Sequence, residues 1–275
     1  MRLYNTLDGW FAENDTGKFC RLQESLDTLL QHKDVYASVA SILEETSPTA
    51  LPPRKEWEAP ISSQEVWAAG VTYYRSRNAR MEEAKHAGGS NFYDLVYRAE
   101  RPELFFKALA SRVAGPNDKV RIRKDATWSV PEPELTLVIN AAGEIVGYTA
   151  GNDVSSRDIE GENPLYLPQA KVYERSCALG PSILISAAPL SLETGIQLAI
   201  RRGDATVFTE KTTLAAMKRG PKTLVGYLYR ELNFPHGCFL MTGTGIVPPD
   251  SFTLASGDVI DITIDQIGTL SNEVE

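Results

Sequence analysis

Two glutamates open the stretch SVPEPELTLVI (129–139), and their spacing is the first sign of chemistry in the sequence. The run ELTLVI reads as a β-strand. Side chains alternate along a strand, so Glu132 and Glu134 share one face, roughly 6.6 Å apart along it. Two like charges held that close need water or a cation. The continuation NAAGEIVGYTAG supplies a turn at Asn140-Ala141-Ala142-Gly143, where Asn and Gly tolerate the positive φ of tight turns. With Ala141-Ala142 at the tip, Glu134 falls opposite Thr149 and Glu132 opposite Gly151, and Asp153 follows just beyond. Cross-strand neighbours and diagonals lie roughly 5–8 Å apart. Glu132, Glu134 and Asp153 are therefore expected to converge at the mouth of one hairpin, with Gly151 leaving room for them.

The strand LTLVI is apolar on both faces, which predicts that its entrance is at least partly buried. A partly buried carboxylate trio is strongly disfavoured unless something neutralises it. A hard divalent cation does so. All-oxygen ligands suit Mg²⁺, with Mn²⁺ or Ca²⁺ as substitutes. The competing reading is a solvated strand face, with Asp153 and Ser155 capping a helix that starts at SSRD.

The elements that must carry these residues follow from the punctuation of the chain. The first sixty residues read as a small N-terminal α/β unit, with helical spacing in LQESLDTLLQ. It ends in SPTALPPRKEWEAP, whose four prolines mark a connection. From residue 61 to 275, short apolar runs recur between Gly, Pro and Asn: EVWAAGVTYY, ELFFKAL, ELTLVIN, EIVGYTAG, PSILISA, IQLAIRRG, ATVFTEK and GDVIDITIDQIGTL. Such punctuation argues for many strands. Helices are predicted at RSRNARMEEAKHAGG, stopped by Gly88, and at TLVGYLYRELNF. The expected class is α+β and mainly β.

At 275 residues and 43% hydrophobic, the chain can bury a full core. A net charge of −8 and a pI near 5.1, with no basic stripe, argue against nucleic acid as a partner. The start MRLYNTLDGWFAEND has no apolar h-region, and no segment offers the roughly 18 apolar residues of a membrane span. These features predict a cytoplasmic protein that needs no membrane. Cys20, Cys177 and Cys238 are an odd number without CxxC or CxxH spacing, so they read as core thiols rather than a disulfide frame or zinc site. Cys238 lies two residues from His236, which is no sign of a thiolate–imidazole pair. Gly243-Thr244-Gly245 lacks a third glycine and precedes Pro248-Pro249 rather than a helix, so no dinucleotide fingerprint is present.

PEPEL, GYTAGNDVSSRD, QAKVYERSCALGPSIL and LMTGTGIVPP, in that order, resemble the fumarylacetoacetate hydrolase family over roughly residues 61–265. The resemblance implies a mixed β-sandwich roll, Mg²⁺ held by Glu132, Glu134 and Asp153, and Lys171 as an active-site residue. Hydrolytic members carry GxNYxxH, with a histidine and, three residues later, a glutamate that activate water. This chain has GVTYYRSRNA, with Ser76 and Ala79 at those positions, and neither serves as a general base near neutral pH. GVTYYRSRNARMEEA and YDLVYRAERPELFFKA instead look like the 2-keto-3-deoxy-D-arabinonate dehydratase branch, whose pattern places catalytic groups at Glu103 and Lys171.

What the resemblance implies is loss of water from a small 2-keto-3-deoxy sugar acid of arabinonate or xylonate type, giving 2,5-dioxopentanoate. A metal-chelated 2-keto acid has acidified C3 protons. Lys171 is read as the base, since a nearby cation and partial burial both disfavour its charged form, and Glu103 as the acid at the C4 hydroxyl. The reverse assignment meets the same requirements. Thr244, in a turn that exposes backbone N–H groups, is a candidate for the substrate carboxylate. So are Ser76 and Arg77, with Arg75, at a helix start that favours anions. Asp158 and Lys107 are further candidates. The resemblance also implies a homodimer or homotetramer. The alternatives are acylpyruvate hydrolysis or oxaloacetate decarboxylation on the same scaffold, or a keto-acid-binding protein without catalysis.

Overall fold

A computed structural model of the chain describes residues 1–73 and 95–275. The helix expected at RSRNARMEEAKHAGG, with Arg75, Ser76, Arg77 and Ala79, lies outside the described residues. The described part is mainly β, as the punctuation implied. Its strands are β1 (Arg2–Thr6), β2 (Gly9–Glu13), β3 (Phe19–Arg21), β4 (Glu65–Gly70), β5 (Glu103–Leu109), β6 (Val113–Ala114), β7 (Lys119–Val120), β8 (Ser129–Val130), β9 (Pro133–Ile139), β10 (Ile145–Asp153), β11 (Ser155–Ser156), β12 (Cys177–Ile185), β13 (Gly195–Arg202), β14 (Ala205–Thr213), β15 (Cys238–Met241), β16 (Val259–Ile264) and β17 (Gly268–Val274).

A ten-stranded sheet runs β3-β2-β1-β12-β10-β9-β15-β4-β5. Beyond β5 the chain passes through 110–112 into β6, which pairs in parallel with β12. The sheet thus returns on itself and curls into a roll. A five-stranded sheet, β14-β13-β16-β17-β7, lies against its outer face. Leu135, Leu137 and Ile139 of β9 point into the core between the two sheets, with Leu198, Ile200, Ile260 and Ile262. Val138, one step out of phase, points the other way, into a second core with Val66, Ala68, Leu179 and Phe239. That is why β9 is apolar on both faces, since a strand covered on two sides gains from burying every residue. By alternation, Glu134 shares the face of Val138 and looks into the roll.

The first sixty residues contribute β1–β3 to the same large sheet through β1↔β12 pairing. Helices Leu26–Leu29 and Val35–Glu45 bury Leu26, Leu29, Val35 and Val39 in the second core. Ser25 and Asp34 cap them by accepting the backbone N–H groups of Thr28 and Ala37. The helix expected at TLVGYLYRELNF spans Pro221–Leu228, starting earlier because Pro221 suits the first helical turn.

The β9–β10 hairpin differs from the expected register by two residues. Its loop holds three residues, with Gly143 at φ 80° and the Asn140 side chain accepting from Ala142 and Glu144 N–H. Ile145 pairs with Ile139, which shifts the register by one. A bulge between Ile145 and Gly147 adds the second. Gly151 therefore faces Glu134 rather than Glu132, Thr149 faces Thr136, and the Asp153 N–H donates to the Glu132 carbonyl. Asp153 is brought level with Glu132 instead of lying past it.

The space at Gly151 is taken by the sheet itself. A Cβ there would come within 2.3 Å of Thr136 Oγ1 and 2.9 Å of Met241 Cε. Gly151→Ala is predicted to lose about 1–3 kcal/mol of stability by overpacking, measured by urea unfolding; a wild-type midpoint would contradict this packing.

Candidate metal and proton-transfer site

The site sits inside the roll, at one end of the second core. β9 and the residue before it bring Glu132 and Glu134, β10 brings Asp153, the end of β15 leads into Gly243-Thr244, and β4 and β5 close the other side with Gly70 and Phe105. Glu132, Glu134 and Asp153 each offer an oxygen, and these oxygens lie within 4.8 Å of one another. All three residues are at most 4% exposed. The cavity they line measures about 10 Å³, the room of one water or one ion. Phe105, Lys171, Gly243 and Thr244 share its wall.

The trio is not left to repel itself. Lys171 Nζ lies 2.7 Å from Glu132 Oε2, 3.1 Å from Asp153 Oδ2 and 2.5 Å from Ser155 Oγ. Arg157 Nη2 donates to Glu132 Oε1 at 2.6 Å, and Lys107 Nζ pairs with Asp153 Oδ1 at 2.6 Å. The backbone N–H of Gly243 donates to Glu134 Oε2 at 2.5 Å. Three buried protein cations thus stand beside three buried carboxylates. Neutralisation does not fall to a metal alone: the roll supplies cations from β5, from the helix Arg157–Glu162 and from the helix Leu167–Lys171.

Glu134 is the carboxylate without a paired protein cation among these contacts. Burial pushes its proton affinity well above the ordinary carboxylate range, and repulsion from Asp153 and Glu132 adds to this; Lys171 and the Gly243 N–H oppose it. Three hard oxygens around a space of one ion, with one ligand short of positive charge, form a donor set that fits Mg²⁺.

Glu103 lies directly across from Gly70, and a Cβ at Gly70 would come within 2.2 Å of Glu103 Oε2. The absence of a side chain at position 70 is what lets this carboxylate lie against β4; Gly70 and Phe105 line the cavity, and Glu103 stands behind them rather than among the lining residues. Thr244 lines the cavity, but its hydroxyl is engaged with the Ile246 backbone, donating to the carbonyl and accepting from the N–H, both at 3.1 Å. Asp158 accepts from Thr127 N–H and Oγ1 and acts in that loop. Ser156, not Asp153, is the N-cap of Arg157–Glu162, and its side chain makes no capping bond. Cys238 is buried and bonded to the Phe239 carbonyl, while His236 meets Gln31, so the two form no pair. Arg157 and Ser155 were not anticipated as part of the site, and the Gly243 N–H, expected in a turn that grips a substrate carboxylate, is given instead to Glu134. Arg157 stands beside the recognisable Asp153, but nothing in its spacing links it to Glu132.

The fumarylacetoacetate hydrolase C-terminal domain family matches residues 72–275. The chain belongs to the fumarylacetoacetate hydrolase family. Among family relatives, it is 48% identical over 218 residues to a probable 2-keto-3-deoxyxylonate dehydratase of Haloferax volcanii, covering 78% of this chain and 73% of that protein. It is 42% identical over 220 residues to a 2-dehydro-3-deoxy-D-arabinonate dehydratase of Saccharolobus solfataricus, with the same coverage. A solved family structure, a 2-keto-3-deoxy-D-arabinonate dehydratase complexed with magnesium and 2,5-dioxopentanoate, superposes with a TM-score of 0.85 at 33% identity, covering 100% of this chain and 99% of that one.

The raised proton affinity of Glu134 sets a pH dependence. Its proton is bound more tightly in the folded chain, so protonation stabilises the fold; that contribution is complete below the ordinary carboxylate range and is lost as pH rises through the raised value. A divalent cation needs the ionised form and offsets the loss. With a chelator present, Tm is predicted to fall as pH rises through this window, and with Mg²⁺ the fall should vanish. Superimposable Tm–pH curves with and without Mg²⁺ would contradict the assignment.

Proposed function

We propose that this protein is a Mg²⁺-dependent dehydratase that removes water from a 2-keto-3-deoxy-pentonate, of arabinonate or xylonate type, to give 2,5-dioxopentanoate. The observation that carries the reading is the meeting of the buried trio with Lys171 in one cavity, in a chain whose positions 76 and 79 are Ser and Ala. The relatives named as dehydratases and the magnesium complex support it.

Glu132, Glu134 and Asp153 would hold the cation, which when bound supplies positive charge that acidifies the C3 protons of a 2-keto acid. Lys171, in its neutral form, takes a C3 proton at Nζ. Glu103 delivers a proton to the C4 hydroxyl, which leaves as water. The double bond formed between C3 and C4 then moves toward the C5 hydroxyl, and tautomerisation yields the aldehyde of 2,5-dioxopentanoate. Atoms balance as substrate minus one water. Thr244, together with Ser76 and Arg77 in the segment outside the described residues, is assigned to the substrate carboxylate. Gly70, by presenting no side chain, leaves room for the Glu103 carboxylate beside it.

Residues 1–60 form the smaller unit and 61–275 the catalytic one. A homodimer or homotetramer is the expected assembly, and the three free thiols suit a reducing cytoplasm. No described helix is long and apolar enough to cross a membrane.

Incubation with Mg²⁺ and each 2-keto-3-deoxy-pentonate should yield a product lighter by one water, detected by mass spectrometry and as an aldehyde. Lys171→Ala should lower kcat by about 10²–10⁴-fold. Faster release of pyruvate from an acylpyruvate, or of CO₂ from oxaloacetate, would overturn dehydration, and a wild-type rate in Lys171→Ala would overturn the base assignment.

A further inference from the structure

A lysine with no exposed surface is an expensive residue to place in a core, since an ammonium pays heavily for leaving water unless every proton finds a partner. Lys107 is such a residue, at 0% exposure. It is the extra residue of a bulge in β5: Phe106 pairs with Trp67 and Ala108 with Val66, leaving Lys107 without a partner on β4. Bulges re-aim side chains. Phe106 packs edge-on against Trp67, with ring centroids 6.0 Å apart, while Lys107 points the opposite way, into the roll.

Its ammonium reaches three separate elements. It pairs with Asp153 Oδ1 at 2.6 Å, on the oxygen opposite the one facing Lys171. It donates to the backbone carbonyl of Lys171 at 2.5 Å, to that of Val154 at 3.2 Å and to Ser176 Oγ at 3.3 Å. The Lys171 carbonyl ends the helix Leu167–Lys171, where a helix collects negative partial charge and favours a cation. Ser176 Oγ donates to the same carbonyl at 2.8 Å. One buried charge therefore fixes both a metal-ligand carboxylate and the main chain that carries the proposed base.

We infer that Lys107 is a positioning residue of the dehydration. It is the internal counter-ion of Asp153 and, with Ser176, the tether of the Lys171 backbone, setting the spacing between carboxylate and amine. The inference rests on the functional reading above. Methionine would fill the same volume without the charge, so packing alone does not account for a lysine here.

Lys107→Met separates the two roles. With its counter-ion gone, Asp153 burdens the metal-free protein more than the metal-loaded one, so the rise in Tm on adding Mg²⁺ should be larger than in wild type. Turnover should fall by about a hundredfold through misplacement of Lys171, with KM for the keto acid little changed. A Mg²⁺-induced Tm shift equal to that of wild type would show that Lys107 only packs, and would overturn the inference. Ser176→Ala, a milder change, covers the case in which the first variant does not fold. It should keep the wild-type Mg²⁺ shift in Tm but lose several-fold in kcat, and a wild-type kcat would refute the tether. Wild type is run alongside. If it neither binds Mg²⁺ nor dehydrates the keto acid, the functional reading fails and takes the inference with it; if it does both while the variants match it, only the inference fails.

Discussion

Three carboxylates gathered within 4.8 Å, almost wholly out of water, are the constraint around which the rest of this molecule is arranged. Like charges at that separation in a poorly polarisable interior repel strongly. The fold answers with Lys107, Lys171 and Arg157, each within 3.1 Å of a carboxylate oxygen. With all six groups charged the cluster is neutral. With a divalent cation bound and Lys171 neutral, as the base must be, it would stand at +1, which a keto-acid carboxylate balances; the proton taken by Lys171 then balances the charge left at C3. The protein cations make the trio tolerable, and the charge of a bound cation would make it reactive.

Holding this cluster requires the roll. Lys107 on β5 and Asp153 on β10 are separated by three intervening strands in the sheet order, and they meet only because β6 closes the sheet against β12. The two cores on either side of β9 fix the entrance of that strand, and the bulge in β10 fixes where Asp153 ends. Packing and chemistry are coupled at Gly151 and Gly70, where one strand presses on Thr136 and the other makes way for Glu103. A bulge also decides which way Lys107 faces. Irregularities in the strands, rather than the regular ladder, place the charged groups.

Much of this was legible in the residues. The E-x-E spacing, the turn residues and the apolar run announced a buried acidic trio on a hairpin, and the punctuation announced a mainly β chain. The exact register was not legible, because a three-residue loop and a one-residue bulge leave no mark in a pattern of alternating apolar residues. The partners of the trio were hidden for a different reason. Lys171 and Glu132 stand 39 positions apart and Arg157 and Glu132 25 apart, so their meeting depends on chain closure rather than on local spacing. Glu103 and Lys171 were reached through resemblance to a family, not through periodicity. The turn at Gly243 announced backbone N–H groups for a carboxylate, but not that the carboxylate would be Glu134 of the protein itself.

Where a divalent ion lodges decides whether these carboxylates act as its ligands. Crystals grown with Mn²⁺ and measured at its absorption edge would show this directly. The expected result is one strong anomalous peak among the oxygens of Glu132, Glu134 and Asp153, with Lys171 Nζ displaced from the line between Glu132 and Asp153. A trio still bridged by that ammonium, with the only peak elsewhere on the protein, would contradict it.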